Sequence, residues 1–289
     1  MKSKVKYVIW NEVTTRTNSF SCGGCVALCV LFDNLKELGA EVYFSHEIEQ
    51  TLPDLKEYQD KDFFNNIKSP NLDEFIAIYP EVTIGNPLNC KRVVRWLLHY
   101  PDEIFKEAPA SYGNEDRLFA HAPWIAEGSK IKGFKVEDKL LNTFYISYST
   151  FYDKQELREG QCHIIKKGYV KDVNSLNDSI DISPYCGDPK KLSEIFNKCE
   201  NFYCYDNATY LGVLAALCGC NSILVNTENQ TKEEYFKGNL NFWKFAVAYG
   251  TDDIDRLKRD RKFLKQELAR EEQRCKWVIE DFIYYSNDF

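Results

Sequence analysis

The sequence predicts an α/β protein built from two doubly wound, Rossmann-like halves, and three observations predict it. A strand, a glycine turn, a long apolar helix and a second strand follow one another over residues 4–44. The same order of elements returns over residues 201–225. Residues 207–227 contain no charged side chain, although 28% of all residues are charged. This composition is typical of a parallel strand–helix–strand unit covered on both faces, because no side of it meets solvent.

The first half begins with "KVKYVIW" (Lys4–Trp10), which predicts a strand because it is β-rich and apolar toward its end. Gly23 and Gly24 open a run that is first apolar on nearly all sides and then amphipathic, and Gly39 ends it. This pattern predicts a buried helix with a glycine stop. "AEVYF" (Ala40–Phe44) follows as the second strand.

The middle of the chain is less regular. The pattern predicts a strand over Asp73–Pro80, a helix over Asn89–Pro101 stopped by proline, and a strand over Arg117–Trp124. A passage rich in Gly and Lys, residues 127–139, predicts a domain boundary, which we place between residues 130 and 131.

The second half repeats the α/β pattern. Extended segments are predicted over Asn142–Tyr148 and Gln161–Gly168, a helix over Pro189–Lys198, and then a strand, a helix over Tyr210–Cys218 and a further strand over Asn221–Val225. From Thr251 to Tyr285, apolar residues at helical spacing face a charged side, which predicts one long helix packed on a folded body. The predicted domains are therefore residues 1–130, 131–250 and 251–289.

Composition excludes some classes of protein. The net charge of -7 argues against a nucleic-acid binder, because neutralising phosphates requires a surplus of Lys and Arg. The run of apolar residues and glycine over Tyr210–Cys220 is too short to span a membrane, and no other run is longer. The N-terminus reaches Asn11 and Glu12 before a signal-peptide core forms. These features predict a cytoplasmic protein, in the host cytoplasm if the source is viral.

Two places in the second half are candidate phosphate sites. Lys166, Lys167 and Gly168 follow the end of an apolar strand, and charge-assisted hydrogen bonds from lysine suit a diphosphate. The alternative is an ordinary solvated strand end. The second place, at the start of the uncharged helix, offers N–H groups and a hydroxyl to an anion, unless these residues only cap the helix. Its residues are Tyr205, Asp206, Asn207 and Thr209.

A general base is sought among carboxylates and histidines close to strand ends. Asp116 and His121 flank the strand "RLFAHAP" and are the candidate catalytic residues; each has a surface or core role as its alternative. Gly23 and Gly24 form a candidate cleft loop, but they match neither a dinucleotide fingerprint nor a P-loop. The "CGGC" at Cys22–Cys25 is either a redox pair or a glycine turn beside small residues.

Two segments resemble a group of short bacterial and viral glycosyltransferases of the GT-B type. "YDNATYLGVLAALCGCNSILV" (Tyr205–Val225) resembles the donor-side segment of that group, with its Tyr-Asp, its Thr at the helix start and its Ala-Ala-Leu-Cys-Gly-Cys. "IGNPLNCKRVVRWLLHYP" (Ile84–Pro101) resembles the group's Gly-Asn-Pro-Leu segment and the Val-Val-Arg-Trp helix after it, which adds Asn86 to the candidate cleft loop. One departure is Ala215, where many retaining GT-B enzymes carry a Glu.

The resemblance implies two Rossmann-like domains facing a cleft, with a last helix that crosses back to the first domain. It implies a metal-independent transferase that moves a sugar from a nucleoside diphosphate sugar, expected to be a UDP-sugar or GDP-sugar, to a glycan or glycoconjugate acceptor. No tightly bound cofactor is implied, and Lys166 and Lys167 would stabilise the leaving diphosphate. Two alternatives stay open: a non-catalytic nucleotide-sugar binding or scaffolding protein, and a thiol oxidoreductase that uses Cys22 and Cys25.

Overall fold

In a computed structural model, the chain forms two units. The first contains Met1–Tyr145 together with Glu272–Phe289, and the second contains Ile146–Glu271. The residues described are 5–12, 20, 22–48, 52–55, 63–101, 107–129, 131, 133–165, 176, 178–206, 210–227, 230–238 and 240–289. The division falls after residue 145, whereas the sequence analysis placed it after residue 130.

The first unit contains a sheet of five parallel strands in the order β2-β1-β3-β4-β5. These strands are β1 (Lys6–Ile9), β2 (Glu41–Phe44), β3 (Phe75–Pro80), β4 (Arg92–Leu97) and β5 (Arg117–Ala120). The helices among the described residues of this unit are α1 (Gly23–Glu37), α2 (Glu107–Ala110) and α3 (Pro123–Gly128). Helix α1 buries most of its side chains, and β3 is buried along its whole length, as expected for a parallel sheet covered on both faces.

The second unit contains another sheet of five parallel strands, in the order β10-β9-β8-β6-β7. Its strands are β6 (Gln161–Ile164), β7 (Ser179–Asp181), β8 (Asn201–Cys204), β9 (Asn221–Leu224) and β10 (Val247–Tyr249). Its helices are α4 (Pro189–Lys198), α5 (Leu211–Leu217), α6 (Lys232–Gly238), α7 (Trp243–Ala246) and α8 (Ile254–Asp260). Numbered within its own unit, each sheet has the strand order 2-1-3-4-5, so the predicted α/β class with two Rossmann-like halves is confirmed.

The last helix, α9 (Leu264–Ser286), starts among residues of the second unit and ends among residues of the first. Ile279 and Phe282 lie in the core of the first unit, where the Phe282 ring is 5.9 Å from Tyr7 and 5.3 Å from Phe119. The Tyr7 hydroxyl is hydrogen-bonded to Ser286 Oγ at 2.6 Å. Residues far apart in sequence therefore complete one hydrophobic core.

The predicted helix over residues 89–101 is wrong, because Arg92–Leu97 forms β4, which lies between β3 and β5 in the first sheet. Val93, Val94 and Trp96 are all buried there. A strand buried on both faces shows a continuous apolar run, and periodicity alone does not distinguish it from a buried helix. The branched and aromatic side chains were the signal for a strand.

Three further predictions need correction. The strand predicted over Arg117–Trp124 ends at Ala120, because Pro123 begins α3. Residues 141–147 belong to no regular strand; they form a connection in which the Tyr145 hydroxyl donates to the Pro53 carbonyl at 2.6 Å. The single helix predicted over residues 251–285 is interrupted by short 3₁₀ turns at Thr251–Asp253 and Arg261–Phe263. At the second turn the Arg261 guanidinium donates to the Gly219 carbonyl at 2.6 Å and to Asn221 Oδ1 at 2.7 Å. These tertiary bonds outweigh local helix propensity.

Candidate functional site

In each sheet, the chain adds strands first on one side of the starting strand and then on the other. We call the place between the two neighbouring strands where this direction changes the reversal point. This pair is β1 and β3 in the first unit and β6 and β8 in the second. Ligands of doubly wound sheets bind outside the carboxyl ends of the strands at such a point. The carboxyl ends of these two pairs of strands are therefore the candidate sites.

In the first unit, the ends of β1 and β2 are joined by a buried hydrogen-bond network. Asn11 Oδ1 accepts from the backbone N–H of His46 at 2.8 Å, and its Nδ2 donates to the His46 carbonyl at 2.8 Å. Ser45 Oγ lies 2.8 Å from His46 Nδ1 and also accepts from the Asn11 backbone N–H at 3.1 Å. A buried hydrogen-bond network whose members are all paired fixes the positions of its side chains. This network therefore orders the segments that follow β1 and β2, beside the reversal point.

Glu81 is the carboxylate at the reversal point, directly after β3. Its side chain is buried, and one carboxylate oxygen accepts from the Leu98 backbone N–H at 3.0 Å. Burial raises the pKa of Glu81 to about 7, although hydrogen bonds from the backbone N–H groups of Leu98, Glu81 itself and His99 oppose that shift. A carboxyl group with a pKa near neutrality can accept or release a proton under physiological conditions.

The start of α1 lies close to Glu81. Cys22 is near enough to contribute to the raised pKa of Glu81, and a Cβ added to Gly24 would lie 3.5 Å from Leu98 Cδ1. Around Gly23, a Cβ would meet no described atom within 4 Å. The predicted glycine turn is thus at the carboxyl edge of the first sheet. Cys22 is half-buried and Cys25 buried, and all eleven cysteines, which fall within the described ranges, are thiols.

The two predicted catalytic residues lie at opposite ends of β5. His121 follows the strand, on the same edge as Glu81, and its backbone N–H donates to the Leu97 carbonyl at 2.9 Å. Since neighbouring strands are about 4.8 Å apart, the ends of β3 and β5 are about 10 Å apart. Asp116 precedes β5 and is therefore at the amino edge.

Asp116 forms a buried ion pair with Arg95. Asp116 Oδ2 accepts from Arg95 Nε at 2.7 Å and from the Gly113 backbone N–H at 3.0 Å. The guanidinium also donates to the Thr83 and Gly85 carbonyls at 3.0 and 2.5 Å. The Arg95 side chain is fully buried, and the Asp116 side chain is 7% exposed. These contacts favour a structural role for Asp116, since they engage the carboxylate that a base would need.

Asn86 holds the turn that follows β3. Its Oδ1 accepts from the Tyr79 hydroxyl at 2.7 Å, and its Nδ2 donates to the Cys90 carbonyl at 2.8 Å. In the same turn, the Gly85 backbone N–H donates to Oγ of Ser111, which follows α2, at 2.7 Å. Asn86 thus shapes the backbone between β3 and β4.

In the second unit, Tyr205 and Asp206 lie directly after β8 at the reversal point. Tyr205 is buried, and its backbone N–H donates to the Ile164 carbonyl at the end of β6 at 3.2 Å. Asn226, after β9, donates from Nδ2 to the Tyr205 carbonyl at 2.8 Å. The Cys204 thiol lies 3.0 Å from the Asp206 carbonyl oxygen. The ends of three adjacent strands are thus tied together at this edge.

The remaining predicted donor-binding residues lie outside the described residues. They are Lys166, Lys167, Gly168, Asn207 and Thr209. In the sequence, the first three follow β6 and the other two follow β8, the two strands that flank the reversal point.

The chain matches no protein-family model. A search of curated proteins also returns no significant match. The resemblance to GT-B glycosyltransferases therefore depends on the sequence motifs alone. In the described part of the chain, no helix is both long and apolar enough to cross a membrane. Nor do the described residues contain a group of three or more His, Cys, Asp or Glu placed to hold a metal ion.

Sequence reasoning missed Glu81. The residue directly follows the apolar run "FIAIYP" and is the first charged residue after it. A carboxylate that ends a buried parallel strand was therefore a visible signal. What the sequence did not show was that β1 and β3 are neighbours, because that follows only from the strand order.

Proposed function

We propose that the protein is a glycosyltransferase that moves a sugar from a nucleoside diphosphate sugar to a hydroxyl group of a glycan or glycoconjugate. One observation carries the proposal: the residues predicted to bind the donor follow β6 and β8, the strands that flank the reversal point of the second sheet. Ligands of doubly wound sheets bind at this kind of place. The resemblance of Tyr205–Val225 to donor-side segments supports the same assignment.

On the donor side, Lys166 and Lys167 neutralise the diphosphate, and the Thr209 hydroxyl donates a further hydrogen bond. These groups stabilise the charge that develops on the leaving diphosphate as the bond to the sugar breaks. Helix α5 spans only seven residues. The lysines, rather than the start of this short helix, are therefore assigned the main part of the charge stabilisation.

On the acceptor side, Glu81 is the proposed base. The acceptor hydroxyl oxygen forms a bond to the anomeric carbon, its proton passes to the Glu81 carboxylate, and the nucleoside diphosphate leaves with the electron pair of the broken bond. A pKa of about 7 suits this role, because the carboxylate is both substantially ionised and basic near neutral pH. His121, on the same edge of the sheet, is the alternative base.

Nucleotide binding tests the donor assignment. In a thermal-shift screen with UDP, GDP, CMP, dTDP and NAD, we expect one nucleoside diphosphate to stabilise the protein selectively. A ligand at a hundredfold excess over its dissociation constant adds about 2.7 kcal/mol of apparent stability. Lys167→Ala should remove most of this shift, while Lys198→Ala, at the far end of α4, should retain it.

Turnover tests the reaction itself. Release of nucleoside diphosphate from the matching nucleotide sugar, with and without added glycans, should be detectable and should fall sharply in Lys167→Ala. Binding without any transfer or hydrolysis would favour the non-catalytic alternative. If no nucleotide shifts the melting temperature and Cys22→Ser/Cys25→Ser abolishes a thiol oxidoreductase activity, the glycosyltransferase proposal is wrong.

A further inference from the structure

Three aromatic rings meet at the carboxyl ends of β4 and β5. His99 and Tyr100 come shortly after β4, and Trp124 is the second residue of α3. The ring centroids are 5.5 Å apart for His99 and Tyr100, 5.8 Å for His99 and Trp124, and 5.1 Å for Tyr100 and Trp124. The interplanar angles are 75° to 81°, so each pair packs edge to face. These three side chains form an aromatic cluster.

The aromatic cluster is held in place by its own surroundings. The Tyr100 hydroxyl donates to the Trp124 carbonyl at 2.9 Å. A Cβ on Gly128 would come within 2.6 Å of Tyr100 Cζ, so the tyrosine ring lies directly on the glycine backbone. Pro123 begins α3 and Ile125 anchors it in the core. A site that is already rigid loses little entropy when a ligand binds.

The aromatic cluster is also open to solvent. Trp124 is 44% exposed, whereas Trp96 and Phe119, on the strands just before it, are fully buried. Nδ1 of His99 is buried and has no hydrogen-bond partner among the residues that the structure describes. The side chain of the cluster that is most open to a ligand is therefore Trp124.

The aromatic cluster adjoins the proposed base. The Leu98 backbone N–H donates to the Glu81 carboxylate at 3.0 Å, and the backbone N–H of His99, the next residue, also lowers the pKa of Glu81. His99 therefore connects the carboxylate on one side with the rings of Tyr100 and Trp124 on the other. A ligand resting on the aromatic cluster would lie next to the group assigned to take its proton.

We propose that His99, Tyr100 and Trp124 form the subsite for a pyranose ring of the acceptor, with Trp124 as its platform. This inference rests on the proposed function and deepens it. The C–H groups on one face of a pyranose pack against an indole, while its hydroxyl groups stay available to polar partners at the rim. A protein partner would need about 800 Å² of surface, far more than one exposed indole beside two half-buried rings offers.

Glycoside binding to the full-length protein tests the proposal. Methyl glycosides of glucose, galactose, mannose and N-acetylglucosamine are titrated by isothermal calorimetry, with sorbitol as an acyclic control. We expect saturable binding of at least one glycoside, a loss of at least about tenfold in affinity in Trp124→Ala, and a smaller loss in Trp124→Phe, which keeps a ring. Trp277→Ala is the matched control, since Trp277 is 61% exposed on α9.

A second measurement needs no change at the site. In the Trp277→Ala background, the bound glycoside should shield tryptophan fluorescence from acrylamide quenching, and sorbitol should not. The proposal is overturned if none of the glycosides binds, or if folded Trp124→Ala binds them as the wild type does. Selective binding of a free nucleobase at Trp124 would overturn it as well.

The test separates this inference from the proposed function. Trp124→Ala should raise the KM for the acceptor, whereas Trp277→Ala should leave this KM, the nucleotide thermal shift and the hydrolysis of the donor by water unchanged. If donor binding and hydrolysis are intact but glycosides do not bind, only the acceptor subsite is wrong. If glycosides bind through Trp124 but no nucleotide binds, the donor assignment is wrong and the sugar site remains.

Discussion

Glu81 is buried at the end of a strand, and its raised pKa makes the unfolding free energy of the protein depend on pH. Its pKa rises from 4.5 to about 7 on folding. The folded state therefore holds this proton more tightly, so the stabilising contribution is present below about pH 4.5 and is lost as the pH rises through about 7. The full difference is about 3 kcal/mol by linkage.

Glu81→Gln tests whether Glu81 causes this pH dependence of the unfolding free energy. The unfolding free energy of the wild type, measured in urea between about pH 4 and about pH 8, should fall relative to the variant by about 3 kcal/mol. Glu115→Gln, an exposed carboxyl in the same unit, should track the wild type throughout. A constant difference between wild type and Glu81→Gln across this range would show that Glu81 has an ordinary pKa.

The same residue should govern the pH dependence of turnover. If Glu81 takes the acceptor proton, kcat/KM for transfer rises with pH through an apparent pKa of about 7, because only the carboxylate accepts a proton. Glu81→Gln should lower the rate by about 10²-fold or more and remove this limb of the profile. An unaltered profile in the variant would transfer the role of base to His121.

Arg95 and Asp116 are expected to carry a large share of the local stability of the first unit. Removing one partner of a buried pair leaves the other charge without compensation, so Arg95→Met should cost about 3–5 kcal/mol of unfolding free energy. Adding Asp116→Asn should recover part of that cost, and the double-mutant cycle measures the coupling. Lys135→Met, which breaks an exposed pair with Asp138, should change stability little. Additive single costs would contradict a direct Arg95–Asp116 interaction.

At the scale of single elements, α1 and α5 end in the same way. Gly39 and Gly219 follow them with φ of +82° and +87°, a region that disfavours side chains. A Cβ at Gly39 meets no described atom within 4 Å, but one at Gly219 would lie 2.8 Å from Arg158 Cζ. The Arg158 guanidinium is held by the Cys218 carbonyl at 2.6 Å, so it cannot withdraw without losing that bond.

These two glycines make a matched pair. Gly39→Ala should cost about 1 kcal/mol of unfolding free energy from backbone strain alone. Gly219→Ala should cost about 1–3 kcal/mol more because of the overlap with Arg158. In an Arg158→Ala background, the cost of Gly219→Ala should fall toward that of Gly39→Ala, and the remaining excess should reflect Asp153 Oδ2, which would lie 2.9 Å from the added Cβ. Equal costs in the wild-type background would show that Arg158 simply moves aside.

The elements that the sequence predicted correctly are those with a clear boundary or period. Helix α1 has an apolar run closed by Gly39, and β3 has its apolar run closed by Pro80. Strand β4 was missed because its continuous burial hides the period of two. Strands β7 and β10 span three residues each, too few to show an alternation.

For the whole molecule, the ends of the chain stabilise each other in the first unit. Phe282→Ala should lower the unfolding free energy by about 3–5 kcal/mol, because the ring packs between Tyr7 and Phe119 in the core. Tyr284→Ala, at a position that is 71% exposed, is the control on the same helix. Hydrogen exchange should show the lost protection mainly in the first unit. Equal loss in both units would mean that they unfold as one.

The candidate sites were predictable to different degrees. The candidate donor-side residues were proposed from a local signal, because two lysines and a helix-start motif follow apolar runs. Glu81 and the aromatic cluster were not found, because they become neighbours only when β1, β3, β4 and β5 assemble in that order. Asp116 was chosen for its proximity to a strand, but it lies at the end opposite to His121.

The discontinuous first unit has a consequence for the order of biosynthesis. Ile146–Glu271 is one uninterrupted stretch, so the second unit has all of its residues before Glu272–Phe289 have been synthesised. The first unit, although most of it emerges first, lacks Ile279 and Phe282 until then. Domains usually fold in order from the N-terminus during synthesis. Here we expect the earlier-translated sheet to complete its core last, with its apolar surface open to chaperones on the ribosome while the rest of the chain is made.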